Sequence, residues 1–353
     1  MPWHDVTFDL AFANGAVLLA GIVLYALLGG ADFGGGVWDL LARGPRADQQ
    51  RQEIARAIGP IWEANHVWLI FSLVTAFTVF PKVFAIVCIA LYVPLSLALL
   101  GIVLRGAAFV FRAYAHDVTL AQQGWGGVFA ISSTATPFFL GMCAGAVASG
   151  KIRVVDGNFE GSYWTTWLSP FPIVFGLLSL TTCAYLAAVY LTIEARGKGD
   201  LEEDFRRRAL GTGVVFTILS LIALPLARSD APDIWHGMTD REVWTVVPVG
   251  IALAVISGWA VWTRRYGLAR AAAVVEVAVL IVGWALAQYP YLVVPDLTYE
   301  NTAASDPMLK AFLIVFGIGA LVLIPSLALL FALFKGENPA ITGEYGASTS
   351  EPG

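Results

Sequence analysis

Residues 16–36 read AVLLAGIVLYALLGGADFGGG. The first part, Ala16 to Leu28, is almost entirely apolar, and it is followed by five glycines around one acid, Asp32. A helical run of about 20 apolar residues crosses a hydrocarbon core about 30 Å thick. Because about nine such runs occur along the chain, the sequence predicts an all-α integral membrane protein with about nine transmembrane helices.

The composition of the chain supports this class. Apolar residues make up 58% of its 353 residues and charged residues 13%, about half the charged share of an ordinary soluble domain. The mean hydropathy is +0.73. These values exclude a soluble globular enzyme, and a net charge of −5 gives no sign of a nucleic-acid partner. The predicted spans are residues 8–28, 61–80, 83–104, 126–148, 170–191, 210–227, 243–262, 271–289 and 311–334.

Basic residues divide unequally between the two ends of these spans. Fifteen of the 21 Lys and Arg residues fall in the connections after odd-numbered spans, with Arg105 counted in the connection after the third span. The positive-inside rule makes that side cytoplasmic, which puts the N terminus outside and the C terminus in the cytoplasm. Residues 1–42 contain no Lys or Arg, so the first span lacks the basic region of a cleaved signal peptide. We expect it to be retained.

Asp32 is one of the few acids beside a predicted span. Its glycine neighbours allow the backbone to unwind or another helix to approach closely. A carboxylate at the C-terminal end of a helix faces the negative end of the helix dipole, so it needs a cation, a bound proton or water nearby. The alternative is an ordinary interfacial acid beside a glycine helix stop.

A second polar cluster lies in GPIWEANHVWLI, residues 59–70, where the second span begins. Glu63 and His66 are three residues apart and share one helix face. Glu63 suits a first helical turn for electrostatic reasons alone, and a neutral His66 bonded to a neighbour is the structural alternative. The functional interpretation is a proton-accepting chain of Glu63, His66 and Asp32 that begins at the cytoplasmic side.

Three further side chains of this turn are candidates to support those acids. Trp62 lies four residues before His66, and Asn65 and Trp68 form a neighbouring pair. Glu276 lies about one and a half turns into the eighth span from the same side. It either joins the polar region or forms a local ion pair, with Arg264 or Arg270 as partner.

The chain lacks the ligands for metal chemistry of its own. Glu63 and His66 have the Glu-x-x-His spacing of di-iron carboxylate bundles, which need two such motifs. The other histidines, His4, His116 and His236, are expected outside the spans, so a bis-histidine haem cannot be assembled within them. If the protein serves redox chemistry, its metals are expected in another chain.

The two motifs at residues 29–34 and 59–70 resemble those of subunit II of cytochrome bd-type quinol oxidases. The segment YPYLVVP, residues 289–295, followed by TYENTAAS, residues 298–305, is similar to the loop before the last helix of that family. The match runs essentially from end to end. Glu63 stands where many members have Asp, and His66 stands where Gln or Glu is common, which resembles the cyanide-insensitive branch.

The resemblance implies a heterodimer in the bacterial cytoplasmic membrane. A homologous subunit I would carry the quinol site and three haems, two of type b and one of type d. The complex would oxidise quinol and reduce oxygen to water with protons from the cytoplasm, so the chain alone is not expected to be catalytic. A small single-helix accessory subunit and a bound quinone or lipid are further implied partners, and no metal ligand is expected in this chain.

The resemblance also implies two four-helix bundles, residues 1–160 and 161–290, and a loop with a ninth, peripheral helix at residues 291–335. Residues 336–353 read as a disordered cytoplasmic tail. Asp32 and Glu63 are the acids that match the family. A proton-coupled secondary transporter is the alternative, because span 1 ends in glycines and acids lie in spans. Acids near one membrane face make it the weaker hypothesis.

Overall fold

The computed structural model describes residues 9–114, 119–240 and 243–335, without the side chains of residues 58–64, 112–114, 119–123, 240 and 330–335. The helices in these ranges are α1 (Leu10–Leu40), α2 (Ala47–Val79), α3 (Pro81–Ala90), α4 (Tyr92–Tyr114), α5 (Thr119–Ala148), α6 (Pro170–Glu194), α7 (Asp200–Asp230), α8 (Pro232–Asp240), α9 (Val246–Trp262), α10 (Tyr266–Gln288), α11 (Tyr299–Thr302) and α12 (Asp306–Lys335). The strands are β1 (Arg153–Val155), β2 (Asn158–Glu160), β3 (Tyr291–Val293) and β4 (Leu297–Thr298).

The all-α membrane architecture is confirmed. Eight helices of the described ranges are long and apolar enough to cross a membrane, and a ninth span results if the bent pair α2 and α3 is counted as one. The bend between them is 114°. It falls at Phe80, and Pro81 opens α3 without a backbone N–H, so the hydrogen-bond ladder of α2 cannot continue through it.

Two predicted span boundaries are wrong. Helix α1 continues through the glycine segment to Leu40, so Asp32 lies eight residues inside the helix and not at its C-terminal end. The backbone therefore does not unwind there. The predicted third span, 83–104, is interrupted at Leu91, and α4 runs on to Tyr114. Arg105, counted as part of a cytoplasmic connection, is a residue of this membrane helix.

The glycines of α1 serve close helix approach, the second possibility that the sequence left open. A Cβ atom on Gly34 would overlap the backbone carbonyl of Cys183 on α6, and one on Gly36 would overlap Ser133 on α5. Without side chains at these positions the three helices approach at backbone distance. This approach brings the segment around Asp32 into the interior of the protein.

An ion-pair network joins the α1–α2 connection to the start of α7, at the end of the protein that we call the arginine-rich end. The guanidinium of Arg46 donates to both carboxylate oxygens of Asp204, at 2.9 and 2.8 Å, and Gln50 donates to the same carboxylate at 2.9 Å. Nearby, Lys198 donates to Glu53 at 2.6 Å. These partly exposed pairs hold the connection in place, although each contributes only about 0–1 kcal/mol.

The opposite end carries two small hairpins. Asp156 and Gly157 link β1 to β2 with φ angles of 51° and 79°, as a two-residue type I′ turn requires. Strands β3 and β4 form the second antiparallel pair. The carboxylate of Asp296 accepts from Arg153 at 3.0 Å and from the backbone N–H of Val154 at 2.8 Å, which ties the hairpins together.

The described residues from Lys310 onward belong to a separate compact unit. Most of the described residues of α12 in this unit are exposed, as suits a helix that meets lipid or another chain, and Pro325 lies within it. The predicted tail, residues 336–353, falls outside the described residues. The division of the preceding chain into two four-helix bundles stays a prediction.

Candidate functional site

Asp32 and Arg105 form an ion pair inside the membrane-spanning part of the protein. The carboxylate of Asp32 is fully buried and the side chain of Arg105 is 2% exposed. Arg105 donates to both carboxylate oxygens, at 2.5 and 2.9 Å, and to the backbone carbonyl of Asp32 at 3.2 Å. This two-pronged geometry is the strong form of an arginine–carboxylate contact. The cation that the sequence required for Asp32 therefore comes from α4.

The remaining surroundings of Arg105 complete its solvation. Its Nε donates to the hydroxyl of Ser133 at 2.8 Å, and that hydroxyl donates to the carbonyl of Phe129 at 2.7 Å. The guanidinium also lies 4.9 Å from the ring centroids of both Phe33 and Phe129. Such faces attract cations, and the attraction strengthens where water is excluded. The charge of Arg105 is therefore compensated on every side that the described residues show.

Asn65 connects α2 to the ion pair. Its side-chain Nδ2 donates to Asp32 at 3.3 Å, while its Oδ1 has no hydrogen-bond partner among the described residues. A Cβ atom on Gly29 would contact the Asn65 amide, so the glycine makes room for it. The support that the sequence predicted for Asn65 is thus visible as a direct contact with Asp32. Trp68 packs edge-on against Phe71, with ring centroids 5.8 Å apart.

A small cavity with room for about one water molecule adjoins the pair. Its lining comprises Tyr25, Phe33, Asn65, His66, Leu69, Ile102 and Arg105. The hydroxyl of Tyr25, like Asn65 Oδ1, is buried without a hydrogen-bond partner among the described residues. Two buried oxygen atoms without a hydrogen-bond partner among the described residues therefore belong to residues that line a space large enough for a water molecule.

Of the predicted proton-access residues, the structure describes the side chains of Asp32 and His66 but not that of Glu63. His66 lines the cavity beside Asn65 and Arg105, the two residues that contact Asp32. Trp62 and Glu63 lie on α2, and their side chains are outside the described part of the chain. The helix is continuous across them, so Glu63 and His66 keep their shared face.

Glu276 lies elsewhere, on α10. The hydroxyl oxygen of Tyr185 on α6 lies within hydrogen-bond distance of both the Glu276 carboxyl group, at 3.2 Å, and Ser257 Oγ on α9, at 2.5 Å. Arg264, one of the two expected partners, instead contacts Glu202 at 3.1 Å. No ion pair to Glu276 is found among the described residues, so the ion-pair interpretation is wrong.

Several residues of these two sites were missed by reasoning from sequence. Arg105 carried a usable signal, because apolar residues flank it on both sides for about two turns, in ALLGIVLRGAAFVF, residues 98–111. Ser133, Tyr25 and Tyr185 carried none, because single hydroxyl side chains are ordinary within apolar helices. Only the packing of the helices shows that Ser133 contacts Arg105, that Tyr25 lines the cavity and that Tyr185 contacts Ser257 and Glu276.

The described histidines do not fit a haem. His66 lies on α2 beside a cavity with room for about one water molecule, and His236 lies on α8. No cluster of three or more potential metal ligands occurs in the described ranges. His4 and His116 are outside those ranges. The described ranges therefore bring together a group of polar side chains around Asp32.

Comparison with known proteins gives consistent relatives. The family model "Cytochrome bd terminal oxidase subunit II" matches residues 10–334. The cytochrome bd ubiquinol oxidase subunit 2 of Bacillus subtilis is 27% identical over 91% of both chains. The cytochrome bd-I ubiquinol oxidase subunit 2 of Escherichia coli is 28% identical over 60% of this chain and 54% of its own length. In the solved bd oxidase from Geobacillus thermodenitrificans, one chain superposes with a TM-score of 0.79 and 25% identity, covering 93% of this chain and 99% of that one.

Proposed function

The chain belongs to the cytochrome bd terminal oxidase subunit II family, and we propose that within this quinol oxidase it supports a haem-bearing partner and admits protons to the complex. As subunit II it is part of an oxidoreductase complex of the respiratory chain, in the inner membrane of a bacterium. The complex contains haem, and its other main chain is subunit I. A proton-coupled transporter, the alternative from sequence, is not favoured by these relatives.

The haems are proposed to lie in subunit I, two of type b and one of type d. This placement is supported by the described residues of subunit II, whose histidines do not fit a haem. Quinol oxidation and oxygen reduction then take place on the partner chain. A bound quinone or lipid and a small single-helix accessory subunit belong to the same proposal, and the exposed face of α12 is a surface that lipid or such a helix can cover.

The cavity beside the Asp32–Arg105 pair carries the proposal of proton access. His66 contributes an imidazole, a group that can accept and donate a proton, and Tyr25 and Asn65 offer the partners that an ordered water needs. Glu63, one turn earlier on α2, is the acid that would receive protons from the arginine-rich end, which we place in the cytoplasm. Protons would then pass from Glu63 to His66 and the cavity.

Asp32 has a different task in this scheme. Both oxygens of its carboxyl group are contacted by the guanidinium of Arg105, so its position is fixed by that pair. It instead positions Asn65 at the cavity and fixes α1 to α4. The proton-carrying residues are therefore proposed to be Glu63 and His66, with Asp32 as the anchor that keeps their surroundings in place.

The test is the substitution Glu63→Gln in the complete oxidase complex. Glutamine keeps the shape of the side chain but cannot carry a proton, so we expect quinol-driven oxygen uptake to fall about 10²-fold, the lower end of the range of about 10²–10⁴ that positioned proton transfer contributes. Haem content, read from the reduced-minus-oxidised spectrum, should be unchanged.

The matched control is Glu53→Gln. Glu53 lies on the same helix, ten residues earlier, where it binds Lys198 at the arginine-rich end. Its turnover should equal that of the unmodified complex. A fully haem-loaded Glu63→Gln complex with normal turnover would contradict the proposed proton access, while membership of the oxidase family would stand.

A further inference from the structure

The second buried carboxyl group, Glu276, lies in an environment that the proposed proton entry does not use. It is 2% exposed and is the eleventh residue of α10, about 15 Å along the helix from its start at Tyr266. An ionisable group at such a depth is costly unless it is paired, neutralised or hydrated. Its surroundings therefore decide its protonation state.

The side chains that contact Glu276 or its hydrogen-bond partner are uncharged. Helix α6 contributes Tyr185, and α9 contributes Ser257, which contacts Tyr185. The acid of α1, Asp32, is bound by Arg105. On α10 itself the nearest base is Arg270, which is exposed and lies six residues away. No described cation contacts the carboxyl group of Glu276.

The hydrogen bonds around Tyr185 can be counted against the protons that are present. The Tyr185 hydroxyl lies 2.5 Å from Ser257 Oγ and 3.2 Å from Glu276 Oε2, and Ser257 Oγ lies 3.3 Å from the carbonyl of Ala269. These are three contacts, yet the two hydroxyl groups supply only two protons. Because the Ala269 carbonyl can only accept, all three contacts are hydrogen bonds only if the carboxyl group of Glu276 supplies the third proton.

This series of hydrogen bonds can also form after Glu276 loses that proton, and no heavy atom of a side chain has to move. In the protonated state Glu276 donates to Tyr185, Tyr185 donates to Ser257, and Ser257 donates to Ala269. When the proton leaves to water, the hydroxyl of Tyr185 rotates to donate to the carboxylate and the hydroxyl of Ser257 rotates to donate to Tyr185. The Ala269 carbonyl then loses this bond, and one proton has left the protein.

The packing around Glu276, Tyr185 and Ser257 favours rotation of hydroxyl groups over rearrangement of side chains. The ring of Tyr185 stacks on Phe216 of α7 with centroids 5.6 Å apart and an interplanar angle of 11°. Ala273 and Val277 of α10, both fully or almost fully buried, belong to the core cluster that contains Tyr185. Buried side chains in such a core keep one rotamer, whereas a hydroxyl hydrogen is free to turn.

We propose that Glu276, Tyr185 and Ser257 form a second proton-binding site within the membrane, separate from the Asp32 site, in which Glu276 holds an exchangeable proton as a neutral carboxyl group. The site takes up one proton at Glu276. This reverses the direction of the hydrogen bonds between Glu276 and Tyr185 and between Tyr185 and Ser257. It requires no haem and no residue of the proposed entry at Glu63, so its test can fail or succeed independently of that entry.

The experiment is infrared difference spectroscopy on the purified oxidase complex. A protonated carboxyl group has a C=O stretching band that a carboxylate lacks, so the spectrum of the unmodified complex minus that of Glu276→Gln should contain one such band. In D₂O buffer the band should move to lower frequency, because the proton exchanges. Absence of the band, or a band that D₂O leaves in place, overturns the proposal.

Tyr185→Phe gives a second, independent measurement. It retains the stacked ring and removes only the hydroxyl group that accepts from Glu276, so the band should move to higher frequency; an unmoved band overturns the proposed donor role. This variant also tests the site if Glu276→Gln does not assemble. Glu53→Gln is the control, because a carboxylate paired with Lys198 contributes no such band and its removal should leave the spectrum unchanged.

Discussion

Asp32 and Glu276 are both acids within membrane helices, both almost completely buried, yet their partners are of opposite kinds. Asp32 meets the guanidinium of Arg105 with two hydrogen bonds, whereas Glu276 meets the hydroxyl of Tyr185. A buried carboxylate stays charged only if a cation compensates its lost hydration. Depth and residue type therefore do not set the surroundings of an acid here: the first acid is ion-paired, and the second, in our proposal, holds an exchangeable proton.

The largest effect is expected when Asp32 is neutralised, which tests whether its surroundings require a negative charge. Asp32→Asn leaves the charge of Arg105 buried without its counter-ion, and loss of one partner of such a pair costs about 3–5 kcal/mol. We expect much less assembled complex and a strongly lowered melting temperature, measured by size-exclusion chromatography and thermal unfolding of the purified oxidase.

The control for that prediction removes both charges. Asp32→Asn combined with Arg105→Gln leaves no unpaired buried charge, so it should recover a large part of the lost stability even though it changes more residues. If the double variant is no more stable than Asp32→Asn alone, the charge is not the cause of the loss, and close packing around the glycines would be the better explanation.

A smaller effect is expected from the contact between helices that separates the two acids. Gly34→Ala places a methyl group against the carbonyl of Cys183 on α6, two residues from Tyr185. Overpacking of this kind costs typically about 1–3 kcal/mol. Thermal unfolding of the complex should show the loss, and it should disturb both sites because α6 borders α1 on one side and Glu276 on another.

Gly211→Ala on α7 is the matched control. A Cβ atom at Gly211 meets nothing within 4 Å among the described residues. Because alanine favours a helix over glycine by about 1 kcal/mol, this substitution should leave stability unchanged or raise it slightly. Equal losses in both variants would show that the contact with Cys183 is not what Gly34 provides.

The smallest effect is expected at the second acid. Glu276→Gln keeps the shape of the side chain, remains neutral and still donates a hydrogen bond, so its cost should be at most about 1 kcal/mol, in the range of a single exchanged hydrogen bond. Thermal unfolding beside Asp32→Asn measures the difference directly. A loss at Glu276 as large as that at Asp32 would mean that this carboxyl group is charged and paired in the folded complex.

The amino-acid sequence was a good guide to the membrane architecture. Apolar runs of this length indicate membrane spans. The glycines within residues 29–36 predicted either an unwound backbone or the close approach of another helix. Boundaries were less secure: α1 runs twelve residues past its predicted end because glycine is tolerated in a helix whose neighbours cover its backbone. Leu91, where the third predicted span is interrupted, carries no breaker of its own.

The partners of the acids were beyond sequence reasoning. Arg105 is 73 residues from Asp32, and Tyr185 is 91 residues from Glu276. Charge counting placed Arg105 outside the membrane, since an unpaired arginine does not belong in hydrocarbon. Only the packed helices show that its charge is compensated by Asp32 and covered by two aromatic rings.

The sequence by itself determined the class of this protein, its helical spans and its membership of an oxidase family, because hydropathy and local motifs act over one or two helical turns. The tertiary structure decided which acid meets a cation and which meets a hydroxyl group. That decision depends on groups from different helices meeting within about 3 Å, and electrostatic compensation at such distances is a property of packing.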